Sequence, residues 1–449
     1  MRLATLKGSV LALGAFSAGA CATALGGIPR AAHGETPYAA LEQLGRVLVE
    51  VEGEYVDPVD RAKLVDGAIK GMVAELDPHS SYMTPDEFQA FQGDTEGQFG
   101  GIGIEVETRN DQLIVLSPIE GSPAERAGIQ SGDIIVSVDG KDASATPIDK
   151  LVKHLRGPPG GHVKIGVRRQ NAPELLSFDL VREVIHVPSV ASKLLLGRVA
   201  YVRVKQFQER THDELLEAAA KLRARAGERF AGVILDLRSD PGGLVDQAAD
   251  VADEFLDDGV IYTARHRGRI VDEVRARSGG AFVGEPCVVL VNQYTASASE
   301  LVAGALQDHK RATVVGEPTF GKGSVQAIVS LPGGAGMRLT VSRYYTPGGH
   351  AIQADGVHPD ISVETKKNEA MVSYREKDLE GHLAPELGAG LVSHTAGVVV
   401  VAADAGPPAP ESSRSDARNV PDDPEKGNDA ILRVGWEVLQ RAMGVAPPR

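Results

Sequence analysis

Three short segments of this chain carry the ingredients of nucleophilic attack on a carbonyl: a hydroxyl, an amine and turns that free backbone N–H groups. The first is Thr295-Ala296-Ser297-Ala298-Ser299-Glu300, directly after the apolar run Cys287–Val291. A strand that runs through a small-residue turn into a helix puts hydroxyls at a helix N-terminus, where N–H groups lack intrahelical partners. The same letters fit a capping box, so this segment alone leaves nucleophile and cap both open. The second is Phe320-Gly321-Lys322-Gly323-Ser324-Val325-Gln326. A serine hydroxyl needs a base, and a lysine desolvated by burial, losing up to about 3–5 pKa units, becomes one. A surface or phosphate-binding Gly-Lys-Gly loop reads the same way. The third is Asp236-Leu237-Arg238-Ser239-Asp240-Pro241-Gly242-Gly243. Pro-Gly-Gly frees N–H groups for an oxyanion hole, although an ordinary βα turn has the same composition.

The elements around these segments alternate. Strands fit 199–206, 232–237, 287–291 and 313–316, and helices fit 213–226, 244–255 and 299–309. That alternation argues a layered α/β core. Upstream, 101–184 changes texture to short β-like runs at 102–106, 113–116, 134–138, 163–167 and 175–180, with helices at Ser122–Gly128 and Thr146–Leu155. This suits a small, partly open barrel. Residues 36–92 show helical spacing, broken at Asp77-Pro78-His79 and restarted with Thr84 as N-cap and Pro85 at the first helical position. This lead-in is too short for an enzyme and reads as a helical or dimerisation element. Residues 384–426, rich in Ala, Gly, Pro, Ser and Asp, read as a flexible insert before a last helix over 429–443. Competing chemistries lack their motifs: there is no His-Glu-x-x-His, Walker loop or Gly-x-Ser-x-Gly. His309 and His350 are the histidines near the hydroxyl cluster.

Taken together, these segments resemble the carboxy-terminal processing peptidases, or tail-specific proteases, from about Leu41 to Val363. The strand–TASASE–helix and FGKGSVQ segments carry the likeness, in the family's order and with its 25-residue Ser-to-Lys spacing. The resemblance implies a serine endopeptidase with Ser297 as nucleophile, Lys322 as general base and Gln326 orienting it. The oxyanion hole would be the N–H of Ala298 with that of Gly242 or Gly243. Residues 77–82 match the family's lead-in, and the small β region matches its PDZ domain. There Gly100, Gly101, Ile102, Gly103 and Ile104 would form the carboxylate-binding loop and strand. Arg156 matches a position that couples docking to the active site. The implied fold is α/β and α+β multidomain: helical region 35–95, PDZ domain 96–185, protease core 186–370 and C-terminal region 371–449. One departure stands out: Asp240 precedes Pro241, where the family commonly has Asn.

The opening residues read as an address. Arg2 and Lys7 precede an apolar stretch of about Val10–Ala20 and then small residues, the pattern of a secretory signal peptide over 1–33. The expected location is periplasmic or secreted, with membrane association through a retained leader or a lipid on Cys21 as the alternative. The two cysteines, Cys21 and Cys287, give no disulfide framework and no cysteine-based metal site. The net charge of −14 argues against nucleic acid as a partner. No cofactor or metal is expected. Expected partners are protein substrates bound by their C-termini, an adaptor protein and a second copy joined through the N- and C-terminal helices. The rival readings are a non-catalytic PDZ adaptor or chaperone on a protease-like core, and an acyl-CoA enzyme.

Overall fold

A computed structural model describes residues 37–109, 112–143, 146–364, 374–384, 401–402 and 420–444. The expected leader and most of the 384–426 insert lie outside the described residues. The described residues up to Val65 form one unit, and those from Asp66 form a second. In the first, the helix Pro37–Glu54 leaves Tyr38, Leu41, Leu44 and Val47 exposed.

The core of the second unit is a seven-stranded sheet. Its order is Val190–Leu195, Val199–Val204, Gly232–Asp236, Cys287–Val291, Thr313–Gly316, Ile361–Glu364 and Val401–Ala402. Only the first pair is antiparallel. Parallel strands need helices on both faces, and their side chains are accordingly apolar on both sides. Ala200, Val202 and Val204 join the helices Thr211–Ala226, Val245–Asp253 and Ala298–Asp308 in one core. The alternate residues Val199 and Tyr201 face the C-terminal helix Ala430–Ala442, whose Trp436 is fully buried. Asp429 caps that helix and pairs through both oxygens with Arg238, at 2.7 and 2.8 Å. The last helix therefore covers the sheet face beneath the Pro-Gly-Gly turn. Trp436→Ala should lower the unfolding free energy by about 3–5 kcal/mol, read by urea titration. A loss below ~1 kcal/mol would mean that this face does not depend on the helix.

A second, five-stranded sheet has no counterpart in the alternation read from sequence. The long strand Gly336–Tyr345 pairs with Ser324–Ser330 along one edge, and with Ser81–Met83 and Val260–His266 along the other; Arg269–Arg275 closes the sheet. The Asp77–Met83 segment is thus built into the wall of the site.

Residues 104–181 fold as a separate β unit with strands Ile104–Arg109, Gln112–Pro118, Ile134–Val138, His162–Arg168 and Leu176–Val181. Its helices are Pro123–Arg126 and Ile148–Leu155. The chain enters and leaves through a two-stranded ribbon, Gln98–Gly101 against Glu183–His186. His186 and Ser189 then bond Glu214 on the core helix, which pins the exit to the core.

Candidate active site

The turn after the central strand Cys287–Val291 holds three aliphatic hydroxyls, and the structure separates their roles. Thr295 Oγ1 donates to the Leu237 carbonyl and accepts the Asn292 N–H. Ser299 Oγ donates to the Asp240 carbonyl. Both residues are fully buried and spent on joining this turn to the Pro-Gly-Gly turn. Ser297 alone is part-exposed, and its backbone stands at φ 57°, ψ −119°. A side chain held in that region costs about 1–3 kcal/mol, which the surrounding bonds must impose.

Glu300 imposes part of it. Its carboxylate accepts the N–H of Ser297 at 2.7 Å, and also the N–H of Gly321 at 2.7 Å and of Lys322 at 2.9 Å. Thr319 Oγ1 donates to the same group. One buried side chain therefore ties the serine turn to the lysine loop, and the Phe320 N–H reaches the Thr295 carbonyl at 2.9 Å. Burial pushes the Glu300 carboxyl up to about 7, against the lowering effect of these four donors. Glu300 was legible in the sequence only as half of a capping box.

Lys322 Nζ donates to Gln326 Oε1 at 2.6 Å, and the Ser324 carbonyl lies at 3.4 Å. Gln326 is held from behind by its own Nε2, which donates to Ser324 Oγ at 2.9 Å and Thr340 Oγ1 at 3.3 Å. Desolvation, reinforced by the positive charge of Arg338, lowers the Lys322 amine to about 8, against the opposing charges of Glu376, Glu300 and Asp77. About one lysine in ten is then neutral at pH 7, compared with fewer than one in a thousand for a free side chain.

The acids that temper this shift come from far along the chain. Burial would raise the Asp77 carboxyl, but hydrogen bonds from Ser80, His79 and Thr340 together hold it below its ordinary range. Glu376 is fully buried and bonds His79 Nε2 at 2.7 Å and Gln353 Nε2 at 2.8 Å, while Gln353 Oε1 accepts the Gly323 N–H. Sequence reasoning missed this support, because nothing in residues 77, 353 and 376 announces a common destination. His309 and His350 are elsewhere: His309 Nε2 meets the Val260 carbonyl at 2.7 Å, and His350 Nδ1 lies 3.5 Å from Asp308.

The Pro-Gly-Gly turn lies directly against the serine. A Cβ on Gly242 would stand 2.9 Å from Ser297 Cβ and from the Ala298 nitrogen, and one on Gly243 would stand 2.1 Å from the Phe207 carbonyl oxygen. Both glycines also have positive φ, 95° and 142°. The two N–H groups are not equivalent. That of Gly242 is taken by Asp240 Oδ1 at 2.8 Å, which corrects its candidacy as an oxyanion donor. Gly243 forms a parallel bridge to Phe207 made by its neighbours, Phe207 N–H to Gly242 O and Leu244 N–H to Phe207 O. In such a bridge the central N–H points away from the partner. Gly243 is exposed, and Ala298, at the first helical position, has no intrahelical acceptor. The N–H groups of Gly243 and Ala298 thus belong to the two turns that meet at Ser297.

In the small β unit, Gly100 and Gly101 lie in the entry ribbon opposite Val184 and Glu183, and the Gly100 carbonyl accepts the Gly157 N–H. Ile102 is buried and accepts the Ala124 N–H, Gly103 has φ 76°, and Ile104 opens the first strand opposite Pro118. The Arg156 guanidinium lies 4.6 Å over the Phe99 ring and 3.7 Å from Asp94 on the helix Pro85–Glu96.

Comparison with known proteins agrees with this architecture. Residues 198–363 match Peptidase family S41, residues 114–169 match the PDZ domain, and residues 28–87 match the N-terminal domain of the activating protease CtpB. The carboxy-terminal-processing protease of Bartonella bacilliformis is 40% identical over 78% of this chain and 82% of its own length. A probable CtpA-like serine protease of Staphylococcus aureus is 36% identical, over 75% of this chain and 67% of its own. Among solved structures, the photosystem II D1 C-terminal processing protease is 32% identical, covering 71% of this chain and 86% of that one, with a TM-score of 0.43. A serine peptidase core, a PDZ domain and relatives of this similarity place the chain in peptidase family S41, among the carboxy-terminal-processing proteases.

Proposed function

We propose that the chain is a Ser–Lys endopeptidase that docks protein C-termini in its PDZ domain and cleaves proteins outside the cytoplasm. The observation that carries this reading is the shared carboxylate of Glu300, which holds the backbone of Ser297 and of Lys322 on one side chain. Neutral Lys322 takes the Ser297 proton as Oγ attacks the scissile carbonyl. The Gly243 and Ala298 N–H groups receive the oxyanion, and the resulting ammonium, held by Gln326, protonates the leaving amine. Deacylation by water repeats the cycle with the same base. The reading favours catalysis over a silent PDZ adaptor because an adaptor needs neither a desolvated lysine nor a serine held at positive φ.

Docking rests on backbone N–H groups and an apolar pocket, so the free carboxylate should matter. Arg156, set between Phe99 and Asp94, is suited to relay occupancy of the PDZ domain to the helix Pro85–Glu96. The leader pattern supports a periplasmic or secreted enzyme, and the exposed apolar residues of the N-terminal helix support association with a second copy. An unstructured substrate with a free apolar C-terminus should be bound and cleaved at least about tenfold better than its C-terminally amidated twin, read by fluorescence anisotropy and chromatography. Equal binding of the two would remove carboxylate docking from the account.

A further inference from the structure

Asp240 is a buried acid of the site region that the mechanism does not use. It is completely buried. Its Oδ1 accepts the Gly242 N–H, and its Oδ2 is buried with no hydrogen-bond partner. Its carbonyl accepts the Ala296 N–H and the Ser299 hydroxyl, so the residue is knitted into the serine turn from both ends. Among the described residues it has no ion pair. The charges around it are bonded to other groups, except that Arg203 Nε is buried with no hydrogen-bond partner. On the neighbouring strand, Arg203 lies 3.6 Å from Asp236 and donates to the Arg238 carbonyl. Just past the end of the strand Gly232–Asp236, Arg238 is bound by Asp236 and Asp429. On the following helix, Glu300 holds the Ser297 and Lys322 N–H groups, and Asp246 of the helix Val245–Asp253 is exposed.

We propose that Asp240 is a positioning residue of the oxyanion turn that works as the neutral acid, and that its ionisation shuts the site. As the acid, it accepts from Gly242 and so aims the Gly243 N–H, with no charge beside the developing oxyanion. As the anion, it places an unpaired negative charge two residues from Gly242 and against the Ser297 turn, where a second negative charge must form. Repulsion at this range inside a protein is strong, because little water screens it. Burial raises the carboxyl to about 8, opposed by the Gly242 N–H, Ser299 and Arg203. The switch point therefore falls beside that of Lys322. Asparagine supplies the same acceptor with no ionisation.

The inference rests on the proposed dyad, and a pH series separates the two. Wild type and Asp240→Asn are compared for kcat on a tailed substrate from about pH 6 to about pH 10, with folding checked at each pH by circular dichroism. Wild type should give a bell centred near pH 8, and Asp240→Asn a rise that levels off, with similar rates at pH 7 and an advantage of about tenfold or more above pH 9. A falling limb that persists in Asp240→Asn, or is absent from wild type, overturns the inference. Loss of the rising limb in both would instead overturn Lys322 as base. A second readout does not depend on activity. An acid whose folded pKa is raised stabilises the fold less as pH rises from its unfolded value, about 4, to its folded value. The melting-temperature advantage of Asp240→Asn over wild type should therefore grow between pH 5 and 8 and then stay level. A constant difference across that range contradicts a buried neutral Asp240.

Discussion

Lys322→Arg is expected to lose about 10²–10⁴-fold in kcat at every pH where the fold survives. Guanidinium stays protonated throughout, so the variant keeps a positive charge but cannot accept the Ser297 proton. Lys322→Ala should fall as far, while both variants still bind a tailed peptide as wild type does. In wild type, the active form is the free amine. With Lys322 lowered to about 8 by burial and Arg338, activity rises as pH climbs toward that value, before the ionisation of Asp240 lowers it again. Below about pH 8 the ammonium predominates, and below about pH 7 turnover should fall about tenfold per unit. An active Lys322→Arg enzyme, or a rise only near pH 10, would mean that another group takes the proton.

Ser297→Ala should reduce peptide cleavage by roughly 10⁴-fold or more, since no second nucleophile stands in its place. Thr295 and Ser299 cannot substitute, because each hydroxyl is buried and bonded to a carbonyl of the neighbouring turn. Ser299→Ala loses only such a bond and should retain substantial activity. Ser297→Gly adds a test of the geometry. It should be equally inactive yet more stable than wild type by about 1 kcal/mol, because glycine accepts φ 57° without strain. Stability is read by urea unfolding and activity by cleavage of a tailed peptide. A destabilised Ser297→Gly would show that the serine turn is not held under strain.

Much of this site could be read along the chain. The segments at 295–300, 320–326 and 240–243 each sit at the end of a strand of the central sheet or directly beyond it, where an α/β core presents its turns. Strand–helix alternation marks such positions. The second sheet was not legible. Val260–His266 and Arg269–Arg275 are mixed in polarity because the sheet is solvated on parts of both faces, and the period-two signal is lost. Ser81–Met83 is only three residues long, and its pairing with Gly336–Tyr345 is more than 250 residues away. The same distance hid the support of the base, since Asp77, Gln353 and Glu376 converge only through the fold. The choice between Gly242 and Gly243 was also beyond the sequence, because it turns on which N–H the Asp240 carboxyl takes. Residues 401–402, within the stretch read as a flexible insert, pair with Val363 and Glu364 at the sheet edge.

The most direct test of the Ser297–Lys322 pair is the pH dependence of covalent labelling by a small serine-directed phosphonylating reagent, with the site located by peptide mass spectrometry. Such a reagent bypasses PDZ docking and reports only the activated hydroxyl. The account predicts a single label on Ser297, a rate that climbs with pH toward about 8 as the Lys322 amine loses its proton, and no appreciable labelling in Lys322→Ala. Labelling of Thr295 or Ser299, or labelling of Ser297 at an undiminished rate in Lys322→Ala, would contradict it.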